Sequence, residues 1–329
     1  MRVAIVGAGP AGCAAAIELC RQRHEVVLIS DAAHGVGEQL SPAARPLLER
    51  LGLLPLPQQL HCVGTRAAWA SAELSHQDFL FHPFGHGWLL DRTTFGTHLR
   101  QCAVAAGATL HEPARLLDVH RRGDWRVRLS NREVHADFLI DATGRSGAVV
   151  RRLGIKRMRF DRQVATLGCF VANHDDADAT LTVESTDQGW WYTCRVPHAR
   201  RVVASITVTR ACTQDWQATL RDTRHISELV RNCRLAGPLV VRCASSARLE
   251  RSCGPGWLAI GDAAASYDPL SSRGLTEALR SGIEAATLIG ASPTRCAERD
   301  AAAAEQFALY LAERHRHYEE VWGRESLRG

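Results

Sequence analysis

The chain has 329 residues, 46% hydrophobic and 23% charged, with a formal net charge of +5. This is a globular composition, long enough for two sizeable cores. No run of about 18 apolar residues and no basic, apolar leader occurs, so neither a membrane span nor Sec export is expected and the expected location is cytoplasmic. The charge is modest and the arginines and histidines are scattered, which excludes the basic arm of a nucleic-acid-binding protein. Lys156 is the only lysine. The eleven cysteines form no C-x-x-C pair and no Cys/His cluster at zinc spacing, so they read as reduced thiols buried as small apolar side chains, with no metal site.

Residues 2 to 7 suit a fully buried parallel strand. Gly7-Ala8-Gly9-Pro10-Ala11-Gly12 then fits G-x-G-x-x-G, and Cys13 to Arg23 continues as an Ala-rich helix. Each glycine has a physical role: Gly7 for the tight turn, Gly9 for backbone approach to a pyrophosphate, Gly12 for helix-on-strand packing. The helix N-terminus faces the phosphates. A second strand, Glu25 to Ile29, completes a unit of about 30 residues. Ser30 stands eighteen residues past Gly12, where an acid usually reaches ribose hydroxyls, and Asp31, one step later, is the candidate for that contact.

Gly37-Glu38-Gln39-Leu40 precedes a helix capped by Ser41, with Pro42 in its first turn and Gly52 past its end. Cys62 to Ser71, Asp78 to His82 and Trp88 to Leu90 read as strands, and Arg92 to Ala106 as an amphipathic helix. A β-meander follows (Leu116 to His120, Trp125 to Leu129, Glu133 to His135) and delivers an apolar strand ending in Asp141-Ala142-Thr143-Gly144. The middle of the chain is strand-rich: Val164 to Val171, Thr180 to Ser185, Trp190 to Val196, Val202 to Thr209 and Leu239 to Leu249, with a helix from Gln214 to Cys233. Trp257 to Asp262 is a last buried strand, followed by a helix from Leu275 to Ile289 and a helical tail from Thr294 to Trp322, whose aromatic stripe reads as core packing.

The expected fold class is α/β: a Rossmann-like dinucleotide-binding domain interrupted by a mostly antiparallel β-sheet domain, with a C-terminal helix. Residues 1–61, 92–160 and 251–293 are assigned to the first domain, 62–91 and 161–250 to the second, and 294–329 to a C-terminal helical segment.

Three separated motifs agree: Gly7-x-Gly9-x-x-Gly12, Asp141-Ala142-Thr143-Gly144-Arg145, and Gly261-Asp262-Ala263-Ala264 followed by Asp268-Pro269-Leu270-Ser271-Ser272-Arg273-Gly274-Leu275. In this order, with Arg92 opening the middle helix, they resemble the FAD-dependent aromatic hydroxylase superfamily over nearly the whole chain. Within it, Gly37 to Arg45, Gly189-Trp190-Trp191-Tyr192 with Pro197, and Asp262 to Ser272 look like the tryptophan-halogenase-like branch. The short flavoproteins of that branch, which mature tryptophan-derived quinone cofactors, are the closer match. The resemblance implies a bound FAD, with Asp262 on the ribityl chain and Pro269 to Leu275 passing the flavin ring. Asp262 can accept two hydroxyl hydrogen bonds from a polyol, and a helix opening near Gly274 and Leu275 would stabilise negative charge on a reduced flavin. The implied cofactor contacts are Gly7, Gly9, Ala11, Gly12, Ser30, Asp31, Gln39, Arg92, Gly144, Gly261, Asp262, Pro269, Ser272, Gly274 and Leu275.

The implied activity is hydroxylation of an electron-rich aromatic ring through a flavin hydroperoxide, on an aromatic small molecule or a tryptophan side chain in a partner polypeptide. The cofactor supplies the hard step, and the protein positions the ring and excludes water. Glu38 and His82 are the catalytic candidates, with His86 a further acid or base in the same segment and Trp88, Trp190 and Trp191 as aromatic lining. Electrons come from NAD(P)H bound transiently or from a separate flavin reductase. Three alternatives stand beside this reading: halogenation, a prenyl-type alkene reduction, and a flavoprotein chaperone without turnover. Halogenation is disfavoured, because a halogenase of that family uses a lysine to capture hypohalous acid and Lys156 follows the Ala142-Thr143-Gly144 region instead of lying in the early substrate-side segment.

Overall fold

A computed structural model describes residues 1–31, 37–173, 175–207 and 215–323. Eight α-helices occur among the described residues: α1 (Pro10–Arg21), α2 (Arg45–Leu51), α3 (Arg92–Ala105), α4 (Ala148–Arg152), α5 (Trp216–Arg221), α6 (Ile226–Val230), α7 (Gly274–Leu288) and α8 (Pro293–Trp322). None of them is long and apolar enough to cross a membrane.

The strand Arg2–Val6 is almost fully buried because helices cover one face of its sheet and a β-meander the other. Its sheet has six strands, in the order Cys253–Gly254, Trp257–Ala259, Phe138–Asp141, Arg2–Val6, Glu25–Ile29, Thr109–His111. All neighbours pair in parallel except the short Cys253–Gly254 edge. Helices α1, α2, α3 and α7 bury their apolar faces on one side. The antiparallel meander Leu116–Arg122, Asp124–Leu129, Glu133–Ala136 packs on the other.

The closest contact in this layer is between α1 and α7. Alanine-rich α1 lets the helices approach until a Cβ on Gly282 would lie 2.4 Å from the Ala11 carbonyl oxygen and 2.7 Å from Ala14 Cβ. Leu279 and Ile283 flank this contact, almost fully buried, each contributing about 1.5–3 kcal/mol of apolar burial.

The second sheet has eight strands and runs Arg234–Leu235, Val164–Val171, Arg200–Thr207, Gly189–Val196, Thr180–Thr186, Gly64–Ala68, Ser75–Asp78, with Val240–Cys243 also on Val164–Val171. It is antiparallel except where Thr180–Thr186 meets Gly64–Ala68. A small sheet is formed by Glu38–Leu40, Gly87–Leu90 and Leu60–Cys62, and two strands of the large sheet, Gly64–Ala68 and Ser75–Asp78, lie between the latter two in sequence. The expected α/β class, with a Rossmann-like sheet, an antiparallel sheet and a C-terminal helix, is the observed one.

Five local expectations change. Cys62 to Ser71 is not one strand: Cys62 ends Leu60–Cys62 in the small sheet, and Gly64–Ala68 belongs to the large one. The strand expected over Asp78 to His82 is Ser75–Asp78, because the Asp78 carboxylate accepts the Leu80 N–H at 2.6 Å and turns the chain. The helix expected from Gln214 to Cys233 is two helices, α5 and α6. The buried Glu184 carboxylate accepts the N–H groups of Arg224, His225 and Ile226 and starts α6 afresh. Leu239 to Leu249 is likewise two strands, Val240–Cys243 and Ala247–Leu249. Cys253 and Cys296 form a disulfide, where reduced thiols were expected: the edge strand of the parallel sheet and the first turn of α8 bring together two cysteines 43 residues apart. Residues 208–209 at the end of the expected Val202 to Thr209 strand, the expected helix start at Gln214 and residues 324–329 of the tail lie outside the described residues.

Replacing Gly282 by valine forces atoms into the α1–α7 contact, and overpacking of this kind costs roughly 1–3 kcal/mol. Gly282→Val is therefore expected to lower the midpoint of chemical unfolding. An unchanged midpoint would show that the two helices can separate without loss.

Candidate active site

The carboxyl ends of the parallel strands open into a cavity of about 880 Å³. This is where an open α/β sheet binds its ligand. Val6, Ser30, Glu112, Ala142 and Ile260, each near the end of a different strand, are in the wall.

The glycine fingerprint shapes one end. Gly7 has φ +112° and approaches the next loop so closely that a Cβ would lie 2.2 Å from the Ala142 carbonyl oxygen. A Cβ on Gly12 would lie 1.9 Å from the Gly7 oxygen, whereas nothing lies within 4 Å of one on Gly9. Gly12 thus packs behind the loop, and Gly9, Pro10 and Ala11 face the cavity. No side chain caps α1, so its first-turn N–H groups are available to an anion. Ser30, Asp31 and Gly144 line the same cavity.

Further along, Asp262 lies in the wall and pairs with Arg145 at 3.3 Å. Arg145 is fixed by donating to the carbonyls of Ser245 (2.6 Å) and Tyr267 (2.7 Å). Arg157 donates to the backbone carbonyls of Asp262 and Ala263 and to Ser266 Oγ. Gly261 is behind the wall, at φ +57° against Ala11. Pro269, Ser272, Gly274 and Leu275 all line the cavity, and α7 starts at Gly274 without a side-chain cap. A long ligand with an anionic centre and a polyol segment fits this succession of uncapped helix, carboxylate and second uncapped helix.

The remaining wall comes from the two other sheets. Pairing of Glu38 with Leu90 brings Glu38 near Arg92 at the start of α3, and they form an ion pair of 2.9 Å. The Glu38 side chain is 40% accessible, and its place in the wall directs that access into the cavity. Burial raises its carboxyl pKa, with the Arg92 guanidinium pulling the other way. Gln39 lines the cavity and donates to Cys62 Sγ. Leu181, Val183, Trp190 and Tyr192 supply an apolar and aromatic face. Burial holds the Tyr192 phenol above its ordinary range.

Not every candidate arrives here. Trp191 points to the opposite face of its strand and packs on Trp216 at 5.2 Å, while Trp88 is core with Arg45 over its ring at 4.9 Å. His82 and His86 are outside the cavity lining. His82 sits in an exposed turn and accepts the Phe84 N–H, and His86 stacks on His61 at 3.7 Å. The sequence reading did not single out Arg100, Glu112, Arg157 or Tyr192. Arg145 stood inside a quoted motif and was the most accessible signal.

Helix α8 fastens two walls together. The buried Asp268 carboxylate accepts from Arg314 Nε (2.7 Å), Tyr318 OH (2.8 Å) and the Leu270 N–H (2.9 Å), and the Asp268 N–H donates to Tyr310 OH. Tyr318 OH also accepts from Trp190 Nε1 at 2.8 Å and Gln163 Nε2 at 2.5 Å. One hydroxyl thus joins the aromatic wall to the segment that begins at Asp268.

Tyr318→Phe leaves the Trp190 and Gln163 donors buried without this acceptor, at a cost of about 1–3 kcal/mol each. The expected result is a clear drop in unfolding free energy, with a shifted Trp190 environment in near-ultraviolet dichroism. A silent substitution would show that water replaces the hydroxyl. For Glu38, an acid whose folded pKa exceeds its unfolded one binds more protons in the native state. Its contribution to stability therefore falls as pH rises from the ordinary carboxyl range toward the folded value. Glu38→Gln removes this slope, and unpairing Arg92 adds only a constant offset because guanidinium stays charged. Denaturation of both proteins across a pH series should show wild type losing stability relative to the variant as pH rises. A pH-independent difference would contradict the raised pKa.

The pyridine nucleotide-disulphide oxidoreductase family matches residues 1–51, and the tryptophan halogenase family residues 56–308. LodB of Marinomonas mediterranea, described by name as an FAD-dependent oxidoreductase, is 28% identical over 300 residues, covering 84% of this chain and 81% of LodB. The flavin-dependent halogenase CmlS superposes with a TM-score of 0.82 at 23% identity, over 94% of this chain, which spans 62% of CmlS. QhpG, described as a peptidyl tryptophan dihydroxylase essential for tryptophylquinone cofactor biogenesis, superposes with a TM-score of 0.80 at 25% identity, over 98% of this chain and 76% of QhpG. The likeness to CmlS is one of fold. With the greater part of its length matched by that family, the chain belongs to the tryptophan halogenase family.

Proposed function

We propose that this protein is an FAD-dependent monooxygenase that hydroxylates an electron-rich aromatic ring, and that the ring is a tryptophan side chain presented by a partner polypeptide. The observation that carries the reading is a single cavity that joins a dinucleotide cradle to a wall of Leu181, Val183, Trp190 and Tyr192, while Lys156, the only lysine, is exposed and outside the lining. No ammonium group is then available to capture hypohalous acid, which sets the reading apart from halogenation. Similarity to QhpG supports a peptidyl tryptophan substrate.

FAD, when bound, supplies the oxygen activation that no side chain here can provide. Gly7, Gly9, Ala11 and the opening turn of α1 would hold its pyrophosphate, with Gly12 packing behind them. Ser30 and Asp31 face the adenosine half. Gly144 and Asp262 would meet the ribityl portion, Asp262 accepting hydroxyl hydrogen bonds while Arg145 keeps it oriented. Pro269, Ser272, Gly274, Leu275, Gln39 and Arg92 would surround the flavin ring. The opening turn of α7, which has no side-chain cap, would offer backbone donors to negative charge on the flavin. Gly261 shapes the turn without contact.

Glu38 is the proton-handling group of the cavity. Burial favours its neutral form, so it can hold a proton at a carboxyl oxygen near the aromatic wall, and Arg92 fixes its position. Trp190 and Tyr192 exclude water and offer faces for an indole. The electrons come from NAD(P)H bound transiently or from a reductase partner.

The test supplies the purified, FAD-loaded protein with reduced flavin or NAD(P)H, heavy-isotope dioxygen, and either free tryptophan or tryptophan-containing peptides, with and without bromide. The expected product is a peptide carrying one or two oxygen atoms from the labelled gas. Brominated product would establish halogenation instead, and a substrate that gains two hydrogens without oxygen would establish a reductase. Tight FAD binding with no product on any indole would leave the chaperone reading standing.

A further inference from the structure

The end of the second strand lacks the acid that usually takes the ribose of a dinucleotide. Ser30 occupies that place. The neighbouring strand supplies one. Glu25–Ile29 pairs in parallel with Thr109–His111, in the register Ile29 to His111. The ladder continues past both strands, with the Ser30 N–H donating to the His111 carbonyl (2.9 Å) and the Ser30 carbonyl accepting from the Ala114 N–H (2.7 Å). Glu112 is therefore held beside Ser30 at the cavity end.

Its carboxylate is built into place from two sides. Ser30 Oγ donates to one oxygen at 2.9 Å, and Arg100 Nε pairs with the other at 3.3 Å. Ser30, Arg100 and Glu112 all line the cavity, and the Glu112 side chain keeps 25% accessibility. A carboxylate accepts about four hydrogen bonds, and these partners use two, one on each oxygen. Among the described residues each oxygen thus keeps an acceptor site beyond its one partner, the arrangement that a pair of adjacent hydroxyls requires.

We propose that Glu112 binds the adenosine ribose hydroxyls of the dinucleotide, taking over from the strand next door the role that Ser30 cannot fill, with Ser30 and Arg100 as its positioning residues. The inference rests on the flavin reading above but concerns only the adenosine end. It transfers the acid by one strand and leaves Asp31, exposed at the same mouth, outside the ribose contact.

The experiment measures dissociation constants of FAD, and of an FAD analogue lacking both adenosine hydroxyls, for protein stripped of flavin and refilled. Glu112→Gln should weaken FAD about tenfold or more, the scale of charge-assisted hydrogen bonds, and leave affinity for the analogue unchanged. Adding Ser30→Glu to that variant should recover part of the loss, because it restores the acid at its usual place. Equal weakening of both ligands would mean that Glu112 only supports the fold and would overturn the proposal. So would a tenfold loss in Asp31→Asn with none in Glu112→Gln. Failure of wild type to bind FAD at all would remove the flavin reading itself, a result distinct from either.

Discussion

The close approach of backbone to backbone at the carboxyl ends of the parallel strands is the constraint on which the site depends. Gly7 lies against the Ala142 carbonyl, Gly12 against Gly7, and Gly282 against Ala11. No side chain fits at any of the three. These contacts pull α1 down onto the first strand and α7 down onto α1. The opening turns of both helices consequently face one cavity. Helix dipoles act only over the first turn, so the two uncapped ends bear on a ligand only because the glycines bring them this near.

The second constraint is that the cavity belongs to several sheets at once. The cradle is carried by the parallel sheet, the aromatic wall by the eight-stranded sheet, and Glu38 by the small three-stranded sheet. Short linkages hold these parts in register. The Glu38–Arg92 pair joins the small sheet to α3, and Arg145 ties Asp262 to the carbonyls of Ser245 and Tyr267. Tyr318 bonds Asp268 and Trp190 from the far side. The aromatic stripe on α8, legible as core packing, is therefore also a strut, with its hydroxyls turned inward to polar groups that would otherwise be buried without partners.

What could be read from the chain follows from range. Strand and helix periodicity, glycine spacing and the Ser41 and Gly52 caps are local properties, and the elements they imply are present, often to within a residue or two. The glycine fingerprint was legible for the same reason: backbone approach needs a missing Cβ at a fixed spacing. Contacts that depend on two distant segments were not legible. Cys253 and Cys296 carry no spacing signal, and nothing near Glu112 shows that it stands beside Ser30. His82 shows the opposite limit, because a titratable residue in a polar loop looks functional in sequence, whereas the fold puts it outside the cavity lining. Trp190 and Trp191 show the limit most simply: neighbours in a strand point to opposite faces, so an aromatic pair in sequence gives one lining residue and one core residue.

The cavity's charges narrow its chemistry. Its cations, Arg92, Arg100, Arg115, Arg145, Arg151 and Arg152, are all guanidinium groups, which stay protonated and offer no nucleophilic nitrogen at neutral pH. They can orient carboxylates and attract anions, but none can form a covalent bond to an activated atom as an amine does. Proton transfer must fall to acids, and Asp262 is held by Arg145 while Asp268 is saturated by α8. Tyr192 is pushed away from neutrality by burial and so keeps its proton. Glu38 differs from all of these, since it faces the aromatic wall and burial raises its carboxyl pKa above the ordinary range. On the proposed reading, the division of labour in the cavity is arginine for position, glycine for approach, and the half-buried Glu38 for the proton.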